Sequence, residues 1–152
     1  MLALDAGQVC PASTSWSGKV LCVVDGDTLK ILQGKLARTV RLVGVDTPQR
    51  GQPFGEEARR FAQGLAQGRM VTVEPHGGAS SRRQRGQVIL PDGRDLGLEL
   101  LKEGLAWHDP RRSGDPFLRD LEGNARKERL GLWAEANPVP PWRWRPHQRQ
   151  DP

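Results

Sequence analysis

The sequence predicts a mainly β, α+β fold: a five-stranded Greek-key barrel of the OB type carrying about three helices. Three observations predict it. Five short strand-like runs are separated by Gly, Asp and Pro turn signals. Segments with helical apolar spacing are inserted among and after those runs, which suits a five-stranded barrel of the OB type. The 152-residue length favours one domain, large enough to bury a core without disulfides or a structural metal. With 36% apolar and 27% charged residues the chain is soluble in character. No apolar run approaches the ~20 residues of a membrane-spanning helix, so membrane insertion is not expected.

Residues 1–16 read as a loosely structured arm. Gly18–Val24 reads as the first strand, Asp25-Gly26-Asp27 as a turn, and Thr28–Leu32 as the returning strand. Gln33-Gly34-Lys35 turns the chain into a third strand, Arg38–Val45, stopped by Pro48. Glu56–Gln67 has Ala58, Phe61, Ala62 and Leu65 at helical spacing, acids in its first turn and Gly68 near its end. Two further short strands are expected at Arg69–Glu74 and Gln87–Leu90, with a polar loop, PHGGASSRRQR, between them. A turn at Pro91-Asp92-Gly93 leads to a short helix over Leu96–Glu103, closed by Gly104. The last helix is expected at Asp120–Leu130, with Leu118, Leu121, Ala125 and Leu130 on its inner side. The tail from Asn137 is rich in Pro, Arg and Trp, the composition of irregular structure.

The formal net charge of +5 and an isoelectric point of about 9.9 favour polyanionic partners, though charge alone does not choose among them. Two cysteines, Cys10 and Cys22, and three separated histidines, His76, His108 and His147, argue against a zinc site. Cys10 and Cys22 are either a disulfide tying the arm to the first strand or two reduced thiols. Met1–Ala6 is too short for a signal peptide and lacks its basic start, so export is not decided by it.

Three clusters offer chemistry. Asp25-Gly26-Asp27-Thr28 sits at a hairpin turn and Asp46-Thr47-Pro48 at the end of the third strand. Carboxylates at the ends of adjacent strands, with a backbone carbonyl, suit a hard cation such as calcium. Aspartates beside Gly or Pro are also ordinary turn formers. The third cluster is arginine. Arg41, between Val40 and Leu42, either points to solvent or offers a planar fork to phosphate oxygens. In a regular strand Arg41 and Asp46 would face opposite sides, and a bulge at Gly44 would bring them together. Arg82, Arg83 and Arg85 are placed in the polar loop before the fifth strand.

In order and spacing, VVDGDTLKI, VRLVGVDTPQ, FGEEARRF, PDGRDLGLELLKEGLAW and ARKERLGLWAE resemble the staphylococcal nuclease (thermonuclease) family, over about Trp16 to Glu135. The resemblance implies a nuclease-like OB domain over residues 17–136, between an arm (1–16) and a tail (137–152). It implies calcium-dependent hydrolysis of DNA and RNA phosphodiesters leaving 3′-phosphates, with one Ca2+. The resemblance also favours single strands as substrate, a monomer, and a secreted or periplasmic location. By motif, Asp27 and Asp46 match the family's calcium carboxylates, the Thr47 carbonyl its third protein ligand, and Asp25 an acidic neighbour. Arg41 matches the first phosphate-binding arginine. Counting back from Pro91-Asp92-Gly93 places the second at Arg83.

Two departures bear on rate. The family's general-base glutamate is Gln49 here. A neutral amide cannot take a proton from water but can orient it. The Tyr-Gly-Arg stretch is reduced to Ser81-Arg82-Arg83, the acid expected before it is Ala79, and the chain has no tyrosine. Trp107 and Trp133 sit in apolar contexts and read as core, whereas Trp142 and Trp144 alternate with Arg143 and Arg145 in a tail expected to dock. The competing function is an impaired OB-fold module that binds single-stranded nucleic acid without cutting it.

Overall fold

Alternation of buried apolar and outward polar residues builds the barrel strand by strand. In a computed structural model describing residues 14–78 and 82–145, the first strand, β1 (Trp16–Asp25), turns Gly18 and Val20 inward. A register shift between Val20 and Cys22 moves the inward parity to Val23 and leaves Leu21 44% exposed. β2 (Thr28–Gln33) buries Leu29 and Ile31, and β3 (Leu36–Leu42) buries Val40 and Leu42. β4 (Val45–Asp46) follows as a separate short strand. β5 (Met70–Pro75) buries Val71 and Val73. β6 (Arg83–Ile89) turns Gln84, Gly86 and Val88 inward, and β7 (Trp107–His108) pairs with β4.

The five longer strands close in the order β1-β2-β3-β6-β5, with β5 returning to β1 through Trp16 opposite Val73. Only the β3–β6 contact is parallel among these pairs. This is the expected five-stranded Greek-key barrel.

Three helices cover it. α1 (Gly55–Ala66) lays Ala58, Ala62 and Ala66 on the barrel core, with Phe61 and Leu65 packed at the margin. α2 (Leu96–Lys102) starts where Asp95 accepts hydrogen bonds from the Gly97 and Leu98 amides, and it buries Leu96, Leu100 and Leu101. α3 (Pro116–Lys127) is capped by Asp115, which accepts from the Phe117 amide at 2.9 Å. It begins four residues before the expected Asp120 because Pro116 occupies its first turn, where the missing N–H is harmless. It also ends sooner, as Arg129 takes a left-handed conformation with φ 55°.

A second core joins the tail to the domain. Trp107 and Trp133 meet edge to face at 4.5 Å, and Trp142, in a single 3-10 turn over Pro141–Arg143, reaches Trp107 at 5.9 Å. The Gln52 side chain donates to the Val139 carbonyl at 2.6 Å. Among the described residues no helix is long and apolar enough to cross a membrane. Cys22 is half-buried on β1; its pairing with Cys10 falls outside the described residues.

Two expectations are corrected. The third strand does not run to Val45. It ends at Leu42, and Gly44, with φ +80°, breaks the chain so that Val45–Asp46 pairs with β7 instead. The bulge expected at Gly44 is thus a full exit from the barrel. A Cβ at Gly44 would lie 2.8 Å from Leu118 Cδ1. The polar loop is also shorter than expected, because Arg83 and Arg85 belong to β6 rather than to the loop.

Gly44→Ala should therefore destabilise the protein by about 1–2 kcal/mol from the left-handed backbone alone, with the Leu118 clash added. Urea unfolding measures this, and a midpoint unchanged from wild type would contradict it.

Candidate functional site

The hairpin turn between β1 and β2 delivers Asp27 to the rim of the barrel, 2% exposed and held from three directions. Its Oδ1 accepts from Thr28 Oγ1 at 2.9 Å, its Oδ2 from the Thr47 amide at 3.0 Å, and its carbonyl from the Leu42 amide at 2.9 Å. Gly26 makes this approach possible, since a Cβ there would come within 2.9 Å of Thr47 Cγ2. Asp46 is 6% exposed on β4. Arg41, from the outer face of β3, donates Nη2 to Asp46 Oδ1 at 3.0 Å and lies 3.9 Å from Asp27 Oδ2. The chain break at Gly44 overcomes the opposed parity of residues 41 and 46.

Two carboxylates crowd this rim. Burial, and then the charge and hydrogen bond of Asp27, push Asp46 up to about 7, with Arg41 only partly offsetting them. Burial and Asp27 likewise raise Asp25 at the edge of the site. Thr47 is fully buried, and its Oγ1 has no hydrogen-bond partner among the described residues. Among the described residues no three His, Cys, Asp or Glu side chains gather as a metal cluster. A cation here would need carbonyl, water and phosphate oxygens beside the two carboxylates, a donor set that suits a hard ion. Two buried carboxylates facing one guanidinium leave negative charge that a cation would balance, so the residues present fit one.

The rim opens onto a groove of about 590 Å³ across the outer faces of β2, β3 and β6. Strand register arranges its side chains in two rows. Thr28 pairs with Arg41, and Arg41 with Arg85; Lys30 pairs with Thr39, and Thr39 with Arg83. Arg41 and Arg83 line the same groove but lie in different rows. Among the described residues, none of the lining side chains is aromatic.

Gln49 is half-buried, two residues beyond Thr47. Its backbone is fixed by Gln52, which takes the Gln49 amide on Oε1 and donates its own amide to the Gln49 carbonyl, both at 2.9 Å. Glu56 is engaged by Arg59 and Arg60 on α1, and Glu57 is exposed. Ala79 and Ser81 lie outside the described residues.

The site therefore brings Asp27, Asp46, Thr47 and Arg41 together, with Asp25 beside them and Arg83 along the groove. Arg85, read with Arg82 and Arg83 as part of a polar loop, lies instead on β6 and lines the groove. The signal was present in Arg83, Arg85 and Gln87 alternating with inward Gln84, Gly86 and Val88.

Comparison with known proteins gives a family for the chain. The family described as Staphylococcal nuclease homologue matches residues 39–135. A protein of Escherichia coli O157:H7 named an uncharacterized endonuclease is 37% identical over 128 residues, covering 84% of each chain. The micrococcal nuclease of Shigella flexneri is 33% identical over 146 residues, covering 89% of this chain and 83% of its own. The protein named ParB of Escherichia coli is 35% identical over 147 residues, covering 88% and 83%.

Because Thr47 Oγ1 is buried without a partner among the described residues, Thr47→Val should leave stability without added cation within about 1 kcal/mol of wild type, or raise it. A loss above about 2 kcal/mol in urea would mean that the hydroxyl has a partner after all.

Proposed function

The chain belongs to the staphylococcal nuclease homologue family, and from that premise we propose that it is a calcium-dependent endonuclease cutting DNA and RNA, with single strands favoured. The observation that carries this reading is the pair of buried carboxylates facing one guanidinium at the mouth of a cationic groove.

Asp27, Asp46 and the Thr47 carbonyl would hold one Ca2+. When bound, the ion neutralises phosphate charge and makes a coordinated water more acidic. The other roles belong to the chain's own side chains. Arg41 reaches from Asp46 toward the groove and offers N–H donors to a phosphate oxygen, which gains negative charge as the phosphorus becomes pentacoordinate. Arg83 adds a second positive charge along the strand. Asp25, at the edge, keeps the site acidic enough to retain a cation. Gln49 orients the attacking water through its amide and does not remove its proton.

General-base assistance is typically worth ~10²–10⁴-fold. Its absence makes this a slow enzyme with its phosphate grip intact. Gln49 also favours the second reading, a domain that binds single strands without cutting them.

Digestion of a labelled single-stranded oligonucleotide separates the two. Cleavage should appear with calcium, vanish with chelator, and vanish in Asp27→Ala. Equal cleavage by wild type and Asp27→Ala would reject the metal-dependent nuclease. Gln49→Glu should cleave at least about tenfold faster; no gain would place the water-activating position elsewhere.

A further inference from the structure

Arg85 has a surplus charge that the roles above do not use. It is half-buried on the outer face of β6, in register with Arg41 across the parallel β3–β6 pair. Arg41 is bound to Asp46, and Arg112 reaches Asp109 Oδ2 at 3.3 Å. Among the described residues no carboxylate lies within ion-pair distance of Arg85, and no acceptor takes a hydrogen bond from its guanidinium. Burial, then the charges of Arg112 and Arg41, push Arg85 below the usual arginine value, and Asp46 and Asp109 only partly oppose them. A partly buried cation facing two others is unfavourable unless an anion joins it.

We propose that Arg85 is a third phosphate-binding residue, which with Arg41 forms the inner row of a groove that takes a strand by its phosphates. This rests on the nuclease reading and extends it to substrate class. The outer row, Lys30 and Arg83, lies two residues along each strand, about 6.6 Å at 3.3 Å per residue. That offset accommodates a neighbouring phosphate of an extended strand. With no aromatic among the described lining residues, the groove grips the backbone rather than stacking on bases, so affinity is carried by counterion release.

The test is binding of a fluorescein-labelled single-stranded oligonucleotide by the full chain in chelator, by anisotropy across a salt series. Wild type should bind with a steep salt dependence. Arg85→Gln should bind about tenfold or more weakly at low salt, and its slope of log affinity against log salt should fall by about 0.7. Arg85→Lys should restore the slope. Lys102→Gln, on the far end of α2, should change neither.

Thermal unfolding separates binding from a structural role. Arg85→Gln should melt at or above the wild-type temperature, because repulsion is relieved. Inorganic phosphate should raise the midpoint of wild type more than that of the variant. An unchanged affinity and slope in Arg85→Gln, no binding by wild type in chelator, or a lowered melting temperature with unchanged phosphate response would overturn the proposal. Loss of cleavage with the Arg85-dependent slope intact would reject the catalytic reading alone.

Discussion

The confrontation of Asp27 and Asp46 across Arg41 is the constraint on which the rest of the site depends. Two carboxylates, each under a tenth exposed, are brought together by segments that are not neighbours in sequence. One guanidinium cannot balance both, which is why burial and Asp27 drive Asp46 up to about 7. The geometry is held by the Thr47 amide on Asp27, by Gly26, and by the chain's departure from the barrel at Gly44. None of these is needed to close a five-stranded barrel. On the proposed reading, they hold two acids together for an ion of opposite charge.

The barrel supplies the second half of the arrangement through register. Antiparallel β2–β3 and parallel β3–β6 pairing carry Thr28, Arg41 and Arg85 into one row and Lys30, Thr39 and Arg83 into the next. Cations spread over three strands thus become one surface, and the carboxylate rim stands at its end. A phosphodiester strand is the ligand whose charge repeats along such a surface. On the proposed reading, the lack of an aromatic among the described lining residues and the amide at Gln49 bear on base contact and water activation, not on the cationic rows.

The barrel was legible because its period-two pattern and turn residues are local signals. Val20, Leu29, Ile31, Val40, Val71 and Val88 point inward as their spacing requires. The candidate site was legible only in part. Asp27, Asp46, Thr47, Arg41 and Gln49 were picked out by ordered motifs. The route by which Arg41 meets Asp46 was not, because it depends on pairing between Val45–Asp46 and Trp107–His108, residues some sixty positions apart. Arg85 was hidden for a different reason. Gly77, Gly78 and a run of arginines read as loop, yet pairing with β3 extends β6 back to Arg83. Tertiary pairing overrode composition there. The start of α3 was misjudged through Pro116, which reads as a breaker until its place in the first turn is known.

Calorimetric titration of calcium into the protein at neutral pH, with no nucleic acid present, tests the central claim most directly. The account predicts binding of one ion, a melting temperature that rises with calcium concentration by mass action, and loss of both in Asp46→Asn. No heat of binding and no calcium-dependent rise in melting temperature at millimolar calcium would contradict it, because the paired acids would then be held together for something other than a cation.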